Sequence, residues 1–458
     1  MKASKFNAFA DLNDKEVLAF NSRTQALVKI NRDSYRTFLK AIPYDGRIEL
    51  DESDPIASAI IANMKKGGFL IDDDVDEIDI LKYRHLRERY SINGCAALTI
   101  GVTTECNFKC TYCFEKNAKP EFMSKEVEDK IIAYAGMLQP KSDFSVTWYG
   151  GEPLLALDTI CRLSDAFMKI ALEKEIHYSA NIVTNGYLLD RETASELVKR
   201  KVKIAQISID GCMEAHDTRR MLKNGGGTFH KLMSNIKEVS DILSIGIRCN
   251  LDKTNIDMFP RFLDELDNYG VTRKIAFITL SMLEAYEYSP QEVKDRALTP
   301  KEFVQANYQI INMLLDKGIT AFDPAPKKHL YCAACAQLGY VVDPRGNLYK
   351  CWNVIGMENE SIGTIDKGIK IDNNFTKWLL WDCFNNEKCR NCNILPLCYG
   401  GCTRMDVVKD ELAGASDHCL PYKYDMAKYI KLLYKDSELK KKSESNVSTK
   451  SKGGACLK

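Results

Sequence analysis

From residue 97 to residue 280, short apolar runs alternate with stretches in which apolar residues return every three or four positions. The runs Ala97–Val102, Ser145–Tyr149, Ser179–Thr184, Ile204–Ile209, Gly246–Leu251 and Lys274–Leu280 predict strands. Leu157–Leu172, Arg191–Val202, Phe229–Leu243 and Phe259–Leu266 predict helices. Repeated strand–helix units build a parallel sheet with right-handed crossovers, so the fold class is α/β. Chemistry in such folds gathers at the C-terminal ends of the strands. Upstream the pattern changes. Val17–Phe20 and Ala26–Ile30, joined by a turn at Asn21–Thr24, read as a β-hairpin. Asp33 or Ser34 can cap a helix reaching about Leu39. Asp54-Pro55 opens a second helix, with Ile56, Ile60 and Met64 on one face and Gly67-Gly68 at its end. A third, highly charged helix spans about Val75 to Tyr90. After about Ala321 the periodicity fades and cysteines crowd in. Beyond Tyr434 the chain is charged and Ser/Lys-rich, which predicts a disordered tail over 435–458.

The strand ends carry the polar motifs. After the first strand stands Cys106-x3-Cys110-x2-Cys113. This spacing can wrap three thiolates around three corners of one [4Fe–4S] cube, leaving one iron open to bind and reduce a substrate. A zinc site is the alternative, although it ordinarily recruits a fourth ligand that this loop lacks. Gly150-Gly151-Glu152-Pro153 follows the second strand, where paired glycines let backbone approach a ligand. Thr184-Asn185-Gly186 and Ser208-Ile209-Asp210-Gly211 end the next two strands as ligand contacts or as helix caps. His216-Asp217-x2-Arg220 precedes Gly225-Gly226-Gly227-Thr228-Phe229, and Thr228 can cap the following helix. Arg248 lies on the fifth strand, beside Cys249. Farther on come Cys332, Cys335, Gly346-x4-Cys351, the run Cys389-x2-Cys392-x5-Cys398-x3-Cys402, and Cys419. Cys95, Cys161, Cys212, Cys249, Cys383 and Cys456 read as buried small hydrophobes.

With Tyr112 before its last thiol, the Cys106–Cys113 loop resembles the signature of radical S-adenosylmethionine (SAM) enzymes, over roughly residues 90–430. The resemblance implies a partial, TIM-like (βα)6 barrel over residues 91–320, with Cys106, Cys110 and Cys113 holding a catalytic [4Fe–4S] cluster. It implies that SAM binds that cluster and yields a 5′-deoxyadenosyl radical. Gly150, Gly151, Glu152 and Pro153 resemble the family's GGEP motif, with Glu152 offering a carboxylate to the SAM ammonium. Tyr112, Asn185, Ser208 and Arg248 would supply further SAM contacts. The C-terminal cysteines resemble the SPASM extension, placed at 321–434. Cys332, Cys335, Cys351 and Cys402 would hold one auxiliary [4Fe–4S] cluster, and Cys389, Cys392, Cys398 and Cys419 another, three clusters in all. Cys332 is only three positions before Cys335, closer than in sulfatase maturases, which makes it the least secure ligand. Without it an auxiliary iron would be open to a substrate thiolate. Two zinc ions are the structural alternative for these eight thiols. Residues 1–90 resemble the winged-helix-like leader-recognition domain of peptide-modifying enzymes, which binds an extended leader as an added strand. The expected activity is maturation of a ribosomally made precursor peptide, most simply by forming a Cys-sulfur-to-carbon thioether. The expected partners are that peptide and an external electron donor such as a flavodoxin or ferredoxin. A carbon–carbon crosslink, formylglycine formation as in anaerobic sulfatase maturases, peptide excision or epimerisation, and a zinc-stabilised binding protein are the other readings.

Composition narrows this further. Lys+Arg 64 against Asp+Glu 63 gives a net charge of +1, so nothing demands nucleic acid or an anionic membrane. No apolar stretch approaches the roughly 18 residues of a membrane span. The first residues lack the apolar core of a signal peptide, and 17 Cys without secretion point to metal ligation in a reducing cytoplasm.

Overall fold

The structure, a computed structural model, describes residues 1–40, 55–91, 94–115, 119–140, 142–286, 289–320, 332–408 and 419–452. The Asp54 start signal and Cys456 lie outside these residues.

The chain opens with a short strand β1 (Lys2–Ala3), then β2 (Asn7–Asp11), β3 (Glu16–Asn21) and β4 (Ala26–Asn31), then helix α1 (Arg32–Lys40). Helix α2 (Pro55–Gly67), strand β5 (Leu70–Ile71) and helix α3 (Glu77–Arg89) follow. The expected hairpin is β3–β4, with Asn21 opposite Ala26. It belongs to a three-stranded antiparallel sheet, because β2 pairs with β3 as well. Ala8, Ala10, Leu18 and Phe20 pack against Val304, Tyr308 and Ile311 and against Tyr429 and Ile430. Helix α3 is capped by Asp76, which accepts from the Ile78 and Asp79 amides. It buries Ile78 and Leu81 against Phe384, Leu395 and Tyr399. At its end Arg89 donates to the carbonyls of Leu379 (2.6 Å), Trp381 (2.5 Å) and Trp378 (3.2 Å). The N-terminal region is thus clamped to the C-terminal one.

The central block is β6 (Ala96–Thr103), α4 (Lys125–Met137), β7 (Asp143–Gly150), α5 (Leu157–Glu173), β8 (His177–Thr184), α6 (Arg191–Lys199), β9 (Val202–Ser208), α7 (Met213–Arg219), α8 (Phe229–Val239), β10 (Ser244–Leu251), α9 (Phe259–Tyr269) and β11 (Ile275–Met282). All six predicted strands form, side by side and parallel. Alternation decides what each strand residue does. On β7, Phe144, Val146 and Trp148 are buried toward the helices, where Phe144 and Trp148 meet Phe167 of α5. Tyr149 therefore points to the barrel interior. On β10, buried Ile247, Cys249 and Leu251 send Arg248 and Asn250 inward by the same rule.

Helices α10 (Gln291–Arg296) and α11 (Pro300–Asp316) lead to the Cys-rich region. There β12 (Gly339–Val342) adds in parallel to the free side of β6, and β13 (Asn347–Tyr349), β14 (Gly363–Thr364) and β15 (Gly368–Ile369) continue as an antiparallel meander. The ten-stranded sheet therefore runs β11-β10-β9-β8-β7-β6-β12-β13-β14-β15 and does not close. This is the partial α/β barrel expected. Short helices α12 (Asn373–Leu380), α13 (Glu387–Arg390), α14 (Leu395–Cys398) and α15 (Thr403–Val407) carry the remaining cysteines, and α16 (Met426–Lys452) follows.

The tail is a correction: the disorder expected from 435 is helix as far as Lys452. The apolar side of its first turns is buried through Tyr429, Ile430 and Leu432 against α11 and β2–β3. Lys435 pairs with Asp316 (2.5 Å) and Lys440 with Asp436 (2.6 Å). A charged segment extends a helix once its N-terminal turns are anchored.

Candidate active site

Strands β6 to β11 deliver their C-terminal ends to one cavity of about 200 Å3. It is lined by Cys106, Cys110, Tyr112 and Cys113 of the loop after β6, by Gly150 and Gly151 after β7, and by Asn185 after β8. Ser208 of β9 and Arg248 of β10 complete the barrel side, while Trp352 and Asn353 close it from the Cys-rich region.

The loop is held from outside itself. The Lys109 amide donates to Met221 O (2.8 Å), Thr111 to Arg219 O (3.0 Å), and Lys223 to Asn107 O (3.1 Å). Arg220 donates to Tyr112 Oη (2.8 Å) and lies 5.9 Å from the Phe108 ring centroid. The run from His216 to Phe229 thus acts as a brace. His216 is buried, accepts the Asp210 amide at Nδ1 (3.2 Å), and meets Thr228 through Nε2 (3.0 Å). Thr228 does not cap α8. Asp217 Oδ1 takes that place, accepting from the Thr228 (2.8 Å) and Phe229 (2.9 Å) amides, while Thr228 Oγ1 donates to Arg220 O. Burial pushes the Cys106 thiol up to about 11 and Cys113 up to about 12. Cys110 is raised by burial too, against the pull of Arg220. Thiols this costly to ionise alone suit a cationic iron centre, which drives their deprotonation.

Gly150 and Gly151 are required by close approach. A Cβ on Gly150, whose φ is +126°, would meet Thr103 O at 2.2 Å, and one on Gly151 would meet Glu105 O at 2.4 Å. Glu152 is fully buried behind the two glycines and has a structural part as well. Its Oε1 accepts from Leu154 N (3.0 Å) and Thr184 Oγ1 (2.7 Å), and its Oε2 from Asn185 N (2.7 Å). The carboxylate ties β7 to β8 and keeps one acceptor position on Oε2, and buried Pro153 begins the short turn beyond it. Glu152→Gln should therefore lower stability by about 2 kcal/mol, because its amide must face one backbone donor. Thermal unfolding checks this. A shift in SAM affinity without a shift in midpoint would leave the ligand role alone.

Asn185 Nδ2 donates to Asn107 Oδ1 (2.6 Å), and Arg248 Nε to Asn250 Oδ1 (3.2 Å). Sequence reasoning missed Asn250. Its Nδ2 donates to Tyr112 Oη (3.1 Å) and to Asp210 Oδ1 (3.2 Å). Inward alternation from Cys249 was the signal that could have found it.

The C-terminal thiols stand near enough to one another for their charges to interact. Burial raises the Cys332 thiol, with Cys335 and Cys402 adding to it, and burial raises Cys351, with Cys332 and Cys402 adding to it; Cys335 Sγ lies 2.9 Å from Thr403 Oγ1, next to Cys402. Cys398 is pushed up to about 12 by burial, with Cys392, Cys389 and Cys419 adding to it. Cys383, read as a hydrophobe, is buried but also stands beside Cys389 and Cys398. Among the described residues no His, Cys, Asp or Glu group forms a site for a single metal ion. Donor sets made wholly of thiols fit iron–sulfur clusters.

Comparison with known proteins agrees with this geometry. Residues 100–266 match the Radical SAM superfamily. The chain is 26% identical over 330 residues to a cysteine-type anaerobic sulfatase-maturating enzyme of Clostridium novyi (strain NT), covering 66% of this chain and 86% of that one. Its fold resembles native anSMEcpe with bound AdoMet and Kp18Cys peptide (TM-score 0.57, 18% identity, 77% of this chain and 99% of that one). It also resembles Streptococcus suis SuiB bound to precursor peptide SuiA (TM-score 0.51, 15% identity, 88% and 95%). The protein carries a radical SAM domain. That domain implies an enzyme that binds SAM and a [4Fe–4S] cluster. Among the described residues no helix is long and apolar enough to cross a membrane.

Proposed function

We propose that this enzyme modifies a ribosomally made precursor peptide and that its product is a Cys-sulfur-to-carbon thioether. The observation that carries the peptide reading is the cavity's mixed wall: the radical SAM loop on one side, Trp352 and Asn353 of the Cys-rich region on the other. Both named structural neighbours were solved with peptides bound. The cluster on Cys106, Cys110 and Cys113, with SAM, supplies the 5′-deoxyadenosyl radical. Tyr112, Gly150, Gly151, Asn185, Ser208 and Arg248 orient SAM against it. In this reading Cys332, Cys335, Cys351 and Cys402 hold one auxiliary [4Fe–4S] cluster, and Cys389, Cys392, Cys398 and Cys419 the other, served by an external flavodoxin or ferredoxin.

Residues 1–90 serve recognition, with the outer edge of β4 as the docking strand. That edge ends the three-stranded sheet, and Val28 on it is exposed. Deleting the region is not a clean test, since Phe6, Leu18, Phe20 and Leu81 are buried against the C-terminal elements.

A carbon–carbon crosslink is the second reading, and one observation favours it: Cys335 and Cys402 act on the Cys332 thiol, which supports Cys332 as a fourth ligand and an auxiliary cluster with no open iron. Anaerobic incubation with dithionite, SAM and the precursor, sought as a short Cys-rich reading frame beside the gene, separates the two. The expected peptide is lighter by two hydrogens and has lost one alkylatable thiol per crosslink. Full iodoacetamide labelling of the product would transfer the assignment to carbon–carbon chemistry.

A further inference from the structure

The cavity wall away from the braced loop contains two carboxylates beside tyrosines, and they differ in one respect. Glu284, just past β11, accepts from Tyr286 Oη (2.9 Å) and from Arg404 Nη2 (2.6 Å). The Arg404 guanidinium lies 5.6 Å from the Tyr286 ring centroid and is almost wholly buried. This is a complete cation site: carboxylate, aromatic face and buried guanidinium. The second carboxylate is Glu115, two positions after Cys113. It lines the same cavity, its Oε1 is buried, and that oxygen has no hydrogen-bond partner. Among the described residues no side chain donates to that oxygen. Glu115 is close enough to Tyr149 to raise its phenol, though burial is the larger cause. Arg248 acts on Tyr149 as well. Tyr149 stacks on Trp352 at 5.5 Å between centroids, and Phe114 meets Tyr286 at 6.1 Å. A carboxylate oxygen buried without a partner is costly unless a cation or a donor meets it.

Resting on the peptide-modifying reading, we propose that Glu115, with Tyr149, is the recognition site for a cationic side chain of the substrate peptide, a lysine ammonium or an arginine guanidinium. The incoming cation takes at Glu115 the place that Arg404 takes at Glu284. It donates hydrogen bonds to the carboxylate and rests against the rings. The site thereby sets which part of the peptide lies beside the radical source.

The test uses the anaerobically reconstituted full chain and three blocked tripeptides, Gly-X-Gly with X lysine, arginine or norleucine. Binding is read by calorimetry with SAM present, and SAM affinity and peptide-free SAM cleavage are measured alongside. The wild type should bind the lysine and arginine peptides about tenfold or more tightly than the norleucine peptide. Glu115→Gln should erase that difference, leave SAM affinity unchanged, and raise the unfolding midpoint slightly, since it removes an unpaired buried charge. Glu115→Lys should favour a glutamate tripeptide instead. Equal binding of all three peptides by the wild type, or an unchanged preference in Glu115→Gln, overturns the proposal. So does a loss of SAM affinity in Glu115→Gln, which would assign the carboxylate to SAM. Absence of SAM cleavage by the wild type would instead count against the function proposed above, so the two failures are distinguishable.

Discussion

Replacing Cys106, Cys110 and Cys113 together by Ala is expected to abolish SAM cleavage and to remove about a third of roughly 12 irons per chain after anaerobic reconstitution. The three thiols share one loop, and that loop's position is set from outside by backbone hydrogen bonds to Arg219, Met221 and Lys223. The fold should therefore survive the substitutions. Removing three partly buried thiols costs little packing beyond their small volume. Iron analysis and release of 5′-deoxyadenosine read the two effects separately. Cleavage that persists in the triple variant would place the active cluster elsewhere, and loss of nearly all iron would show that the three thiol groups do not load independently.

Asp210→Ala should be the most damaging substitution outside the thiols, destabilising the protein by about 3–5 kcal/mol. Asp210 is fully buried and accepts from the Asn250 amide (3.1 Å), from Asn250 Nδ2 (3.2 Å), from Arg219 Nε (3.3 Å) and from Tyr112 Oη. Burial alone would raise its pKa, but Arg219, Arg220 and Tyr112 outweigh burial and hold it below the ordinary value. A carboxylate depressed on folding contributes stability that is present above about pH 3.9 and lost as pH falls through its folded value. The variant should lack this part of the acid transition. Without the carboxylate, two buried guanidinium groups lose a counter-charge and Tyr112 loses its anchor in the cavity. SAM cleavage should fall on the order of a hundredfold through misplacement of the loop. A midpoint within a degree or two of the wild type would show that the network does not depend on Asp210. Asp210→Asn, which keeps the shape, should fall between the two.

The alternation of apolar runs and helical stretches was enough to locate all six barrel strands, because every second residue of each strand is packed against the helices and so is apolar whatever its neighbours are. The Cys spacing and Gly150-Gly151 were legible for a similar reason: each is a local requirement, one on ligand reach and one on backbone approach. The prediction of disorder after Tyr434 failed because composition cannot show that Tyr429 and Ile430 are seated on α11 and on the N-terminal sheet. The structural part of Glu152 was not legible, because a motif gives a residue's position along the chain, not the direction of its side chain. Its carboxylate turned inward to three donors, two of them on the neighbouring strand end. Asn250 and the pairing of Glu284 with Arg404 carry no local signal at all. Arg404 is 120 residues from Glu284 and meets it only because the Cys-rich region folds back over the barrel mouth. Glu115 is conspicuous for what surrounds it, which no single stretch of sequence contains. By itself the sequence determined the barrel strands and the radical SAM loop, both of which depend on spacing along the chain. Only the tertiary structure decided which carboxylates were satisfied, because satisfaction depends on partners that distant segments bring to the same place.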